Sequence, residues 1–84
     1  MEVPRMTDVK PIEDMNIIVH FDNGVIKKYN VKRLISKWPV FKELQDDKLF
    51  KSVRVDVGGF GIVWNENIDL AEYEIWTNGE DYTE

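Results

Sequence analysis

The stretch VRVDVGGFGIVW, at residues 53–64, most restricts what this chain can fold into. Val53, Val55 and Val57 alternate with charged residues, a period of two that is typical of a strand with one face on a core and one in water. Gly58-Gly59 suits a hairpin turn, because glycine adopts positive φ at little steric cost. A return strand through Phe60, Ile62 and Trp64 would follow. An isolated hairpin is only marginally stable, so further strands and a helix must cover its apolar face.

The N-terminal half predicts a second hairpin. Residues 15–21, MNIIVHF, alternate as a strand, and Asp22-Asn23-Gly24 is a strong turn signal before a return strand at residues 25–30. A three-residue loop with Gly24 in the left-handed region would place Phe21 opposite Val25 and Ile17 opposite Tyr29. Residues 8–12 are expected to add an edge strand, whose pairing is limited by a proline.

Short helical pieces should connect the two hairpins. Asn30 can cap a helix over residues 31–36, and this helix should stop before Trp38, because Pro39 biases the preceding residue toward extended geometry. Asp46 can cap a second short helix that leads into the strand at Val53.

The segment at residues 68–76 leaves two alternatives open. Asp69 and Glu72 have the spacing of a capping box, which favours a C-terminal helix with Leu70 and Tyr73 toward the sheet and Ala71 and Trp76 as further candidates for that face. A short strand beginning at Ile68 is the competing interpretation.

These elements predict an α+β fold with a small antiparallel sheet of about five strands, in the order β-β-β-α-β-β with a C-terminal helix. The chain of 84 residues is long enough for one small domain, 1–84, and too short for two. We expect an ordered core at about 8–79 and loose termini. Trp64 is predicted to be buried; Trp38 and Trp76 are more often core than exposed in so small a domain, and the sequence leaves their exposure open.

Charge is strongly segregated along the chain. Residues 25–54 contain nine basic and three acidic residues, whereas residues 55–84 contain eight acidic residues and no basic one. The simplest explanation is that the basic middle and acidic end fold against each other or form separate solvated faces. A basic face for an acidic partner is the alternative. The formal net charge of -5 argues against nucleic acid as the main ligand.

The side chains that metal and acid–base chemistry usually need are scarce. There is no cysteine, and the one histidine, His20, has no nearby partners in the sequence for a triad or a zinc site. The Gly58-Gly59-Phe60-Gly61 run resembles a phosphate loop, yet it joins two strands and is better explained as a turn. We therefore expect no cofactor, no metal and no enzymatic activity. Without cysteines or an apolar membrane-spanning stretch, the expected location is the cytoplasm.

The order of several short motifs resembles a known family. These motifs, which together cover most of residues 9–76, are Val9-Lys10-Pro11, Phe21-Asp22-Asn23-Gly24, Pro39-Val40-Phe41 with Leu44, Leu49-Phe50 before Val53-Arg54-Val55, and residues 62–64 before Asp69-Leu70. The chain is similar to the bacterial family catalogued as domain of unknown function 2442. That resemblance implies a small antiparallel α+β domain with no assigned role and no catalytic residues to carry over.

Two types of relative bear on function. Some resemble the sheet domain of proteins with an added helix-turn-helix segment, and others are encoded beside a second small protein in what looks like a toxin–antitoxin pair. Because this chain ends at Glu84, we expect no DNA-reading domain. Its glycine-rich turn at residues 58–61 departs from the family pattern.

The leading hypothesis is a non-enzymatic protein-interaction or regulatory module, antitoxin-like toward a small partner protein. Its candidate partner-binding residues are Lys32, Arg33, Lys37 and Trp38. The alternative is a nucleic-acid-associated regulator that uses the basic middle segment, with the residues Lys27, Lys28, Lys32, Arg33, Lys37 and Lys42. Self-association through an unpaired sheet edge remains open, whereas membrane binding is not expected.

Overall fold

The computed structural model describes residues 3–84 and contains two antiparallel sheets. The first has the spatial order β1-β2-β3-β7, with bounds Met6–Ile12, Asn16–Phe21, Ile26–Asn30 and Glu80–Asp81. The second has the order β4-β5-β6, with bounds Arg54–Val55, Gly61–Asn65 and Ile68–Ala71. The predicted small antiparallel α+β fold is confirmed, although residues 3–84 form seven strands that divide into two sheets.

Strand pairing extends beyond the predicted ordered core at both ends. β1 begins at Met6, whose side chain is buried, and β7 pairs with β3 through Lys27↔Asp81 and Lys28↔Glu80. Met1 and Glu2, part of the N-terminus that was expected to be loose, lie outside the described residues.

Short helical segments connect the strands. The α-helices are α1 (Asp47–Phe50) and α2 (Glu72–Asn78), and 3₁₀ segments occupy Glu13–Met15, Val31–Leu34, Pro39–Gln45 and Val57–Gly59. Both predicted caps are confirmed: Asn30 Oδ1 accepts from the Lys32 N–H at 3.0 Å, and Asp46 Oδ1 accepts from the Lys48 N–H at 3.1 Å. The first of these helices is a 3₁₀ segment and ends two residues earlier than predicted.

The β2–β3 hairpin has the predicted three-residue loop. Gly24 has φ of 90°, and the Phe21 N–H donates to the Val25 carbonyl at 2.9 Å. Ile17 lies opposite Tyr29, as the apolar pattern indicated. Local turn chemistry and side-chain alternation together therefore specify this register.

The predicted hairpin at residues 53–64 forms, with a shorter first strand. β4 pairs with β5 through Arg54↔Val63 and Val55↔Ile62. Val57 was expected on the buried face and is instead 93% exposed. The reason is that the chain already turns at Asp56, whose carboxylate accepts from the Val57 N–H at 2.8 Å and whose carbonyl accepts from the Gly59 N–H at 3.0 Å.

Residues 68–71 form strand β6, so the prediction that Asp69 caps a helix is wrong. Asn65 Oδ1 accepts from the Ile68 N–H at 3.0 Å and tightens the turn that returns the chain along β5. The ladder to β5 then outweighs the local capping signal, and α2 begins at Glu72 with no side-chain cap. Both alternatives for this segment contribute, because a strand comes first and a helix follows. Tyr73, predicted to face the sheet, is 64% exposed; Ile75 is buried in its place.

The core lies between the two sheets and the short helical segments. Trp64 is buried, its indole N–H donates to the Phe50 carbonyl at 3.1 Å, and its ring meets Phe41 edge-on at 6.3 Å. The other buried apolar residues of this cluster are Met6, Ile17, Val19, Phe21, Tyr29, Val31, Leu34, Leu44, Val53, Ile62, Ile68, Leu70 and Ile75. Most of the bulky apolar side chains are therefore used in packing, as expected for a domain of this size.

The substitution Gly59→Ala tests a close approach between the β4–β5 turn and β1. Gly59 has φ of 75°, and an added Cβ would lie 2.5 Å from the Met6 carbonyl oxygen. Gly24 has a similar φ of 90° but open space around it, so Gly24→Ala is a matched control for backbone strain alone. We expect Gly24→Ala to cost about 1 kcal/mol of unfolding free energy, and Gly59→Ala to cost a further ~1–3 kcal/mol from overpacking. Urea denaturation measures both, and equal losses would contradict the close approach.

Candidate functional site

The four candidate partner-binding residues are all exposed, and their contacts differ. The Arg33 guanidinium donates to the Asn78 carbonyl at 3.0 Å and lies over the Tyr29 ring at 5.4 Å. Arg33 therefore fastens the end of α2. Lys37 and Trp38 are close to each other, with the Lys37 Nζ 5.8 Å from the Trp38 ring centroid.

Trp38 lies at the margin of an open groove of about 360 Å³. The groove is lined by Trp38, Val40, Phe41, Asn67, Asp69, Leu70, Ala71 and Glu74. Its apolar members come from the segment that starts at Trp38 and from β6. Its polar members are Asn67 just before β6, Asp69 on β6 and Glu74 on α2. The groove is thus an apolar channel with a polar margin, which is the usual composition of a surface that binds another molecule.

The backbone fixes Trp38 in its exposed position. Its φ of -133° and ψ of 101° are extended, as expected before a proline. Its N–H donates to the Leu34 carbonyl at 2.9 Å, and its carbonyl accepts from the Phe41 N–H at 3.0 Å. The ring leans on Phe41 at 6.3 Å and remains 50% exposed. Trp38 therefore has a defined backbone and a large free apolar surface.

Glu74 is held in place on the other side of the groove. Its Oε2 accepts hydrogen bonds from the Tyr29 hydroxyl at 2.8 Å and from the Asn78 side-chain amide at 2.9 Å. Burial raises the pKa of Tyr29 well above its ordinary value, and the hydrogen bond to Glu74 and its negative charge raise it further. The hydroxyl therefore stays protonated and keeps donating to the carboxylate.

Part of the basic middle segment contacts the acidic C-terminal segment. The Lys27 Nζ lies 2.8 Å from Asp81 Oδ1 and 5.0 Å from the Trp76 ring centroid, and Lys28 lies opposite Glu80. With Arg33 bonded to α2, these contacts bear out the expectation that the two oppositely charged segments fold against each other. Among the residues proposed for nucleic-acid binding, Lys32, Lys37 and Lys42 form no ion pair with another described side chain.

His20 lies on the face of the first sheet that is opposite Ile17 and Val19, as the strand alternation predicts. Its Nε2 is 3.2 Å from Glu84 Oε1. Within residues 3–84, no group of three or more His, Cys, Asp or Glu side chains is arranged to hold a metal ion. Gly58 and Gly59 form a tight turn between β4 and β5, so the turn interpretation of the glycine run is confirmed.

The sequence identified Trp38 but missed Asp69, Leu70 and Glu74 as its neighbours in the groove. The only local signal was a tryptophan directly before a proline, and this signal marks Trp38 alone. The residues of β6 join it through packing between segments about 30 residues apart. If residues 68–71, IDLA, had been recognised as a strand, the alternation of apolar and polar residues would have predicted that Asp69 is exposed.

A comparison with protein-family models matches residues 6–81 to the family described as "Protein of unknown function (DUF2442)". The chain belongs to this family. The match covers both sheets, both α-helices and the whole groove, which agrees with the resemblance that the ordered motifs indicated. No curated protein and no solved structure matches the chain. Helices long and apolar enough to cross a membrane are absent from the described part, residues 3–84.

The substitution Tyr29→Phe should reveal the bond to Glu74. Removing a donor to a charged acceptor is expected to lower the unfolding free energy at pH 7 by about 1.5–3 kcal/mol. Because the pKa of Tyr29 is higher in the folded than in the unfolded state, its contribution is complete below about pH 10, the unfolded value, and is lost as the pH rises further. The stability gap between the parent protein and Tyr29→Phe should therefore shrink in denaturation curves recorded above pH 10.

Tyr73→Phe provides the matched control, because Tyr73 is largely exposed and has no hydrogen-bond partner among the described residues. Its stability should follow the parent protein at every pH. A gap for Tyr29→Phe that stays constant from pH 7 to pH 11 would contradict the role of the hydroxyl.

Proposed function

We propose that this protein is a non-catalytic module that binds a partner protein through the groove beside Trp38. The observation that carries the proposal is the exposure of a tryptophan whose backbone is fixed by two hydrogen bonds and whose ring adjoins the apolar surface of Phe41. Tryptophan is enriched among the residues that dominate binding energy, and rigid aromatic side chains lose little conformational entropy when they bind.

The finer form of the proposal is an antitoxin-like or regulatory role in the cytoplasm, toward a small protein encoded nearby. The family resemblance motivates this form. Lys32 and Lys37 would add charged contacts at the margin of the interface, since both are exposed and neither is in an ion pair with a described side chain. Arg33 contributes less to such a surface, because its guanidinium is engaged by Asn78.

The contacts of the basic residues support a protein partner over nucleic acid. The Lys27 ammonium is paired with Asp81, the Arg33 guanidinium is bonded to the Asn78 carbonyl, and Lys28 lies opposite Glu80 in the strand ladder, so part of this basic set is engaged within the fold. Phosphate binding depends on the number of free positive charges, and the remaining basic residues form a small set.

The first test is the substitution Trp38→Ala in a tagged version expressed in the native cell. We expect a stoichiometric protein to co-purify with the parent chain, and its affinity for the variant to fall about 30-fold or more, which corresponds to the ~2 kcal/mol of a binding hot spot. Tyr73→Ala is the control, because Tyr73 is also an exposed aromatic but lies outside the groove lining. Repeated purification of the parent chain without a stoichiometric protein would refute the proposal.

The charged margin can be tested separately with Lys32→Glu and Lys37→Glu together. Because exposed charges mainly affect association, we expect a several-fold slower association rate that becomes less sensitive to salt, with little change in the unfolding free energy. Surface plasmon resonance with the co-purified partner at two salt concentrations measures the effect. Unchanged association at low salt would remove Lys32 and Lys37 from the interface.

A further inference from the structure

Strand β6 has hydrogen-bonding groups that no neighbouring strand uses. It is the outermost strand of the second sheet, with β5 as its one neighbour among the described strands. On the side of β5 that faces β4, the Asp56 N–H donates to the Gly61 carbonyl. On the side that faces β6, the Phe60 carbonyl accepts from the Glu72 N–H. Residues 61 and 63 of β5 therefore bond toward β4, whereas residues 60 and 62 bond toward β6.

The same alternation fixes the directions of the backbone groups on β6. Leu70 lies opposite Ile62, so its N–H and C=O point to β5. Asp69 and Ala71 lie opposite Val63 and Gly61, and their N–H groups and the Asp69 carbonyl point away from the sheet. The Ala71 carbonyl is at the N-cap position, where it receives the first hydrogen bond of α2. The free edge thus offers two donors and one acceptor at alternate residues.

The groove beside Trp38 follows this edge. Its lining includes Asn67 just before β6, Asp69 to Ala71 within it, and Glu74 beyond it. Trp38, Val40 and Phe41 form the apolar side of the groove. A chain in the groove would therefore have unpaired backbone groups on one side and an apolar surface on the other, which is the arrangement that binds an added strand.

The charge of the groove specifies the partner further. Asp69 and Glu74 line it, and neither is in an ion pair with another described side chain. No basic residue follows Arg54 in the sequence, so this part of the chain supplies no cation of its own. A lysine or arginine in the bound segment would provide the missing positive charge.

We propose that β6 binds an extended segment of the partner protein as an added β-strand, with apolar side chains on the Trp38–Phe41 surface and a lysine or arginine facing Asp69 and Glu74. This inference rests on the proposed function and names the form and charge of the partner segment. A second copy of this chain fits less well, because pairing β6 with itself would bring Asp69 close to its own counterpart.

The substitution Ala71→Pro tests the backbone contact directly. Ala71 has φ of -74° and ψ of 151°, which proline adopts without strain, and its N–H makes no bond to β5. The preceding residue, Leu70, is already extended, as a residue before proline prefers. Proline should therefore leave the fold intact and remove one donor from the free edge. Ala71→Ser keeps the donor and is the matched control.

The probe is a display library of random linear 12-residue peptides, panned against the full-length chain. We expect enriched peptides to contain a lysine or arginine among apolar residues. Synthetic copies should bind Ala71→Pro at least tenfold more weakly than the parent chain and should bind Ala71→Ser equally well. Hydrogen-exchange NMR should show the Asp69 and Ala71 amides becoming protected when peptide is added. Circular dichroism and urea denaturation confirm that Ala71→Pro is folded.

The charge is tested with Asp69→Asn and Glu74→Gln, the latter keeping an oxygen that accepts from Tyr29. Each should weaken binding of the basic peptides several-fold, whereas Asp22→Asn, in the β2–β3 turn, should not. The inference is overturned if no peptide is enriched, if folded Ala71→Pro binds as well as the parent, or if light scattering shows a dimer that Ala71→Pro dissociates. The proposed function fails on a different result: no stoichiometric protein co-purifies with the parent chain, or the co-purified protein binds Trp38→Ala as well as the parent.

Discussion

The candidate site depends on the antiparallel ladder between β5 and β6. This ladder makes residues 68–71 a strand, places Leu70 on the core and leaves the backbone of Asp69 directed outward. A helix starting at Asp69 would have left its first N–H groups without intrahelical partners and would have formed no strand edge beside Trp38. The groove beside Trp38 is therefore a consequence of long-range strand pairing, which outweighed a local capping signal. The burial of Ile68 and Leu70 offsets the free energy that the lost helix cap would have contributed.

The parts of the fold that local chemistry determines could be predicted from the sequence. The Asp22-Asn23-Gly24 turn and the caps at Asn30 and Asp46 each follow from residues within a few positions of one another, and the turn sets the Ile17–Tyr29 register. The division into two sheets and the pairing of β7 could not be predicted. These features depend on contacts between distant segments, and a two-residue strand such as Glu80–Asp81 has no periodicity to detect.

Charge segregation along the chain has two different outcomes in the folded protein. Where β3 meets β7, Lys27 and Asp81 neutralise each other, and the basic and acidic segments hold the sheet edge together. In the groove, Asp69 on β6 and Glu74 on α2 form no ion pair with another described side chain and lie beside an apolar surface. The segregated charges thus stabilise the β3–β7 edge of the first sheet. At the β6 edge of the second sheet, beside Trp38, they produce a negative electrostatic potential.

The packing of the core explains why the exposure of Trp38 is informative. A small domain buries a limited fraction of its surface and needs its large apolar side chains inside, as Trp64 and Phe41 illustrate. Trp38 lies beside Phe41, and a different path of residues 38–41 could have directed its ring inward. Two backbone hydrogen bonds and the geometry imposed by Pro39 hold it outward instead. A tryptophan kept half-exposed in this way contributes little of its apolar surface to folding, and that surface remains available to stabilise a complex.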